Sequence, residues 1–184
     1  MGLWWEKTKK SKLITYLVRQ KILFKGGRKM NLEINIKVGA SAPDLTLKTH
    51  LYKQFQLSQI EGKNVLLSFH PLAWTSVCAK QMKSLEENKQ KFEELNTVAV
   101  GISVDPVPSK KAWAESLGIK ETALLSDFWP HGEVAKSYGI FRDKEGVSER
   151  ANVIVDQFKK IQFFEVYEMI KLPDISKILD ELKN

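Results

Sequence analysis

The chain carries one cysteine, Cys78, inside "FHPLAWTSVCAK" (69–80), with Thr75 three positions before it and Pro71 seven. A cysteine does nucleophilic or redox chemistry as its thiolate, which a cation or a row of free backbone N–H groups has to stabilise. The spacing Pro71-x-x-x-Thr75-x-x-Cys78 offers the sulfur, a hydroxyl one helical turn ahead of it, and a ring without a donor. An isolated cysteine is otherwise a small apolar filler. What separates the two readings is whether the fold brings a cation to the sulfur.

From Val38 onward, strand-like and helix-like segments alternate. "DLTLKTHLYKQFQLSQI" (44–60) reads as a short hairpin followed by a turn at Glu61-Gly62. "NVLLSF" (64–69) is an almost continuous apolar run, the pattern of a central strand buried on both faces. A helix of about twenty residues is predicted from Ser76, since Met82, Leu85, Phe92 and Leu95 recur at helical spacing. "TVAVGISV" (97–104) is a second buried strand, ended by Asp105-Pro106 ahead of a helix over "SKKAWAESLG" (109–118). "ALLSD" (123–127) follows as a strand and "GEVAKSYG" (132–139) as a short helix. "ANVIVD" (151–156) and "KIQFFEVY" (160–167) are strands joined by a hairpin connection, and Asp174 begins a terminal helix just after Pro173. The class is α/β, with a mixed central sheet flanked by helices.

In this order of elements Cys78 lies just beyond the C-terminal end of the strand 64–69, in the first turn of the next helix, where free N–H groups are expected to point at the sulfur. Keeping a thiol ionised at neutral pH requires about 3.4 kcal/mol. A helix terminus contributes about 0.3 to 1 kcal/mol, up to about 2 in partly buried geometries. The remainder has to come from a cation, and Arg150 in "SERANVIVD" (148–156) stands at the entrance of another buried strand. At about 4 Å and an effective dielectric near 20, it would contribute up to about 4 kcal/mol.

"PLAWTSVC" matches the Pro-x-x-x-Thr-x-x-Cys signature of peroxiredoxins, and "SERANVIVD" resembles the family's Arg-containing strand. "LLSDFWPHGEVAKSYGIF" (124–141) is similar to the corresponding segment of one-cysteine peroxiredoxins of the alkyl hydroperoxide reductase E type, and the resemblance covers about residues 36–184. It implies a thioredoxin-like fold and a thiol-dependent peroxidase reducing hydrogen peroxide, organic hydroperoxides or peroxynitrite. Carried over by residue, Cys78 is the attacking thiolate, Thr75 and Arg150 activate it and hold the peroxide oxygens, and Pro71 shields the sulfur. Two positions depart from the pattern: Gln81 stands where Glu is common, so that Arg150 is held differently, and His70 stands where Tyr is common, with a consequence for proton handling.

With a single cysteine, the sulfenic acid formed on Cys78 has no internal disulfide to close, so an external thiol or a thioredoxin- or glutaredoxin-like reductant is expected to resolve it. A homodimer is expected through the active-site loops, which carry Trp74 and Trp129, while Trp113 reads as core. The second reading is a thioredoxin-fold redox-sensing or binding protein without fast peroxide turnover. Disulfide exchange of the thioredoxin type would need a second cysteine, which "CAKQ" lacks. His50, His70 and His131 have no metal-ligand spacing, and neither metal nor cofactor is expected.

Charge excludes a further class. The net +7 resides in residues 1–29, whose balance is +8, whereas residues 30–184 balance at −1, so the domain has no basic footprint for nucleic acid. The leader 1–29 has apolar runs too short for a membrane span or a signal peptide; it is either an appendage ahead of a domain starting at Met30 or a basic amphipathic helix. One cysteine in a chain that is 43% apolar and 28% charged points to a single soluble domain in a reducing, cytoplasmic compartment.

Overall fold

The computed structural model describes residues 36–183; the leader 1–29 and the start of the domain expected from Met30 lie outside them. The described chain runs β1 (Thr46–Thr49), β2 (Gln54–Gln56), β3 (Asn64–Phe69), α1 (Ser76–Glu87), α2 (Lys89–Glu94), β4 (Thr97–Ser103), α3 (Val107–Leu117) and β5 (Ala123–Ser126). It continues with α4 (Glu133–Ser137), β6 (Phe141–Arg142), β7 (Val147–Ser148), β8 (Arg150–Val155), β9 (Ile161–Tyr167) and α5 (Ile175–Glu181).

The apolar runs form the middle of the sheet, because a strand covered on both faces has to be apolar throughout. Among the described residues, seven strands pair in the order β2-β1-β5-β4-β3-β8-β9. β3, β4 and β5 are parallel, and β8 joins β3 antiparallel, giving the mixed sheet expected. Alternation along the strands divides the core into two layers. Val65, Leu67, Phe69, Val100 and Ile102 face α4 with Tyr138, while Leu66, Leu124 and Ile154 face the layer of α1, α2, α3 and α5.

α1 approaches the sheet closely at Gly101 of β4, where an added Cβ would collide with Met82 Sδ. Cys78, one turn before Met82, therefore lies on the inward face of α1 against the sheet.

The helix predicted as one piece from Ser76 is two. Asn88 (φ −104°, ψ 12°) leaves helical geometry, and its side-chain amide donates to the Ser84 carbonyl at 2.9 Å, sharing that acceptor with its own backbone N–H at 3.3 Å. The apolar spacing survives because Met82 and Leu85 on α1 and Phe92 on α2 enter the same layer. The small β6–β7 hairpin was not expected; strands of two residues carry no periodicity. α5 begins as predicted, with Asp174 accepting from the Ser176 N–H at 2.9 Å.

Candidate active site

Strand pairing is what brings the site together. β3 ends at Phe69, which lies opposite Ala151 of β8, so Arg150 is level with the chain as it leaves β3 and turns through His70–Thr75 into α1. Arg150 Nη2 lies 3.5 Å from Cys78 Sγ, and both side chains are buried.

The guanidinium has fixed partners. Nε and Nη2 donate to the Met169 carbonyl at 3.2 and 2.8 Å, and Nη1 donates to Gln81 Oε1. Among the described residues no carboxylate pairs with Arg150. A buried cation facing only neutral acceptors is costly, and a thiolate on Cys78 is the charge that would offset it.

Gln81, one turn after Cys78, holds this arrangement. Its amide nitrogen donates to Ser68 Oγ at 2.8 Å and to the Phe69 carbonyl at 3.2 Å, which turns its oxygen toward Arg150. The Glu-to-Gln departure thus still anchors the arginine, and it does so without a carboxylate that would compete with the sulfur for the positive charge.

The expected row of backbone donors is replaced by Arg150. Cys78 is the third residue of α1, and no backbone N–H among the described residues donates to its sulfur. N–H groups of a first turn run along the helix axis, whereas this side chain leaves the flank toward β8.

Thr75 is the N-cap of α1, yet its hydroxyl makes no capping bond and instead donates to the Leu72 carbonyl at 3.0 Å. Its proton is committed away from the sulfur and its lone pairs remain available to accept. Pro71 is buried at the start of the loop and Thr75 is exposed at its end.

The loop is held under strain. Trp74 has φ 64°, a left-handed conformation that costs a bulky residue on the order of 1 to 3 kcal/mol. It is clamped from the β4–α3 side: the Ala73 N–H donates to Asp105 Oδ2 at 2.8 Å and Trp74 Nε1 donates to Ser109 Oγ at 3.0 Å.

Two of the histidines serve the fold. His50 Nδ1 accepts from the Leu124 N–H at 3.1 Å, and His131 Nε2 bonds the Gly146 carbonyl at 2.7 Å. His70 is different: it is buried, and neither ring nitrogen has a hydrogen-bond partner. Burial, followed by the charges of Lys110 and Arg150, holds it well below the usual imidazole range.

Lys110 was missed from the sequence. It is buried on α3 with no partner for Nζ, and burial pulls it down to about 7 against the opposing charges of Asp105, Cys78 and Asp127. The signal was its spacing: Lys110 precedes the buried Trp113 and Ala114 by three and four residues, on one helix face.

Residues 38–164 match the model of the AhpC/TSA family. Alkyl hydroperoxide reductase E of Mycobacterium tuberculosis is 41% identical over 132 residues, which span 71% of this chain and 86% of that protein. Peroxiredoxin-2 of Mus musculus is 30% identical over 131 residues, 66% of this chain and 65% of that one. The crystal structure of reduced Plasmodium vivax 2-Cys peroxiredoxin superposes with a TM-score of 0.73 at 29% identity, covering 79% of this chain and 80% of that one. The fold is thus the thioredoxin-like one of those structures, and with its family match running from β1 into β9 the chain belongs to the AhpC/TSA family of peroxiredoxins.

Proposed function

We propose that this chain is a one-cysteine thiol peroxidase in which the Cys78 thiolate attacks hydrogen peroxide, an organic hydroperoxide or peroxynitrite. The observation that carries the reading is the buried Arg150 guanidinium 3.5 Å from Sγ with no carboxylate to neutralise it. A cation so placed favours thiolate over thiol, and it also favours the charge that spreads onto the peroxide oxygens during attack. Thr75 accepts the peroxide O–H with the lone pairs its bond to Leu72 leaves free. Pro71, buried and without a donor, keeps water from the sulfur.

With one cysteine in the sequence, the sulfenic acid is reduced by an external thiol or a thioredoxin- or glutaredoxin-like protein. Two copies pair through the loops around the active site; Trp74 and Trp129, exposed by 58% and 81%, support this, since large aromatics left on a surface favour a partner. No helix among the described residues is long and apolar enough to cross a membrane. A reducing compartment such as the cytoplasm suits a protein that works through a free thiol.

The reading is tested by mixing reduced protein with one equivalent of peroxide. Consumption of the peroxide within the mixing experiment supports it, and survival of the peroxide over minutes rejects it.

A further inference from the structure

Lys110 and His70 are left without a role by the chemistry above. Lys110 is 0% exposed with Nζ unpartnered, and both nitrogens of the buried His70 ring are unpartnered as well. Orphan buried groups of this kind cost about 1 to 3 kcal/mol each and call for a reason. The two belong to one cluster: the His70 ring packs on Trp113, one turn beyond Lys110 on α3, with centroids 5.4 Å apart. The cluster lies behind the reactive loop, because Ser109, next to Lys110, holds Trp74, and Asp105 holds Ala73.

The charges acting on Lys110 come from several elements. They are Asp105 ahead of α3, Cys78 on α1 and Asp127 after β5; the Lys110 ammonium in turn acts on the imidazoles of His70 and His50, and Arg150 of β8 acts on His70 as well. A negative sulfur supports the Lys110 ammonium, and a neutral sulfur withdraws that support.

We propose that Lys110, in one cluster with His70, is the proton store of the Cys78 reaction, its ammonium holding the proton given up by the thiol and returning it to the oxygen that leaves the peroxide. In the resting pair Lys110 is –NH3+ and Cys78 is –S−. The sulfur attacks the terminal oxygen of R–O–O–H, an S–O bond forms, and the O–O bond breaks. Sulfur loses two electrons and the peroxide gains them. The attacked oxygen keeps its hydrogen as the sulfenic hydroxyl. The departing RO− takes one proton from Lys110, directly or across the His70 ring, which can accept at one nitrogen and donate at the other. The products are Cys–SOH, ROH and a neutral lysine, so charge is zero before and after and no further reactant is needed.

The inference rests on the peroxidase reading, and the leaving group separates the two. Hydroxide and tert-butoxide need a proton as they depart; acetate does not. Rate constants at pH 7 for hydrogen peroxide, tert-butyl hydroperoxide and peracetic acid are compared in the wild type, Lys110→Met and Lys110→His. Lys110→Met is expected to slow the first two by about 100-fold and peracetic acid by less than about threefold, with Lys110→His recovering most of the loss. Equal slowing of all three, or unchanged hydrogen peroxide reduction, overturns the role of Lys110. A wild type inert to every peroxide would fail the peroxidase reading instead. Should Lys110→Met not fold, proton uptake by the wild type in weak buffer decides: little or no uptake per Cys78 oxidised by hydrogen peroxide is expected, and uptake of a full proton overturns the proposal.

Discussion

Arg150 and Cys78, 72 residues apart in sequence, meet at 3.5 Å because antiparallel pairing of β3 with β8 ends one strand where the other begins. The arginine's other acceptors are the Met169 carbonyl and the Gln81 amide, both neutral. The sulfur is therefore the one place in this contact set where a negative charge can form.

Replacing Arg150 by Met is expected to lower the thiolate fraction of Cys78 at neutral pH and to slow peroxide attack by at least about 100 to 1,000-fold. Thiolate absorbance and stopped-flow kinetics read the two effects separately. An unchanged thiol titration would mean that the guanidinium does not govern the sulfur.

Gln81→Leu removes one acceptor and one donor group, leaving Arg150 Nη1, Ser68 Oγ and the Phe69 carbonyl without this partner. Urea denaturation is expected to show a loss of about 1 to 3 kcal/mol, together with slower peroxide attack as the arginine loses its strut. Wild-type stability would show that the strut is dispensable.

Much of this site was legible in the sequence. Pro71, Thr75 and Cys78 fall in one short motif, and Arg150 heads an apolar run that only a central strand explains. The buried strands β3, β4 and β8 were equally plain, since strands covered on both faces have no polar alternation to confuse. The break at Asn88 was hidden because the apolar spacing continues through it into α2. Lys110 was hidden by its type: lysine next to lysine in "SKKAW" reads as a solvated face, although position 110 belongs to the stripe of Trp113 and Ala114. The direction of the Thr75 hydroxyl depends on loop geometry, and the bonding of Gln81 on how α1 lies against β3 and β8, neither of which a motif encodes.

Thr75→Val removes the acceptor while keeping the shape, and attack is expected to slow by about 100-fold; Thr75→Ser keeps the hydroxyl and stays within about tenfold of the wild type. Equal rates for Val and Ser at this position would remove the hydroxyl from the mechanism.

Burial of Lys110 sets a pH dependence of stability. Its folded value, about 7, lies below the ordinary lysine value, so between pH 7 and the ordinary range near 10.4 the unfolded chain binds more protons and stability rises with pH. The burden on the fold is full below about pH 7 and absent above the ordinary lysine range. Lys110→Met is expected to stabilise the protein by on the order of 1 to 4 kcal/mol at pH 7, with the gap to the wild type closing toward pH 10. Parallel stability curves for the two proteins would show that burial does not lower Lys110 below the ordinary lysine value.

Intact mass spectrometry of reduced protein after one equivalent of hydrogen peroxide, run beside Cys78→Ser, tests the central claim most directly. The wild type is expected to gain one oxygen that dimedone traps, with the peroxide gone, while Cys78→Ser gains nothing and leaves the peroxide in solution. Wild-type consumption by Cys78→Ser, or a Cys78–Cys78 disulfide between two chains as the main product, would contradict a one-cysteine peroxidase working through a sulfenic acid.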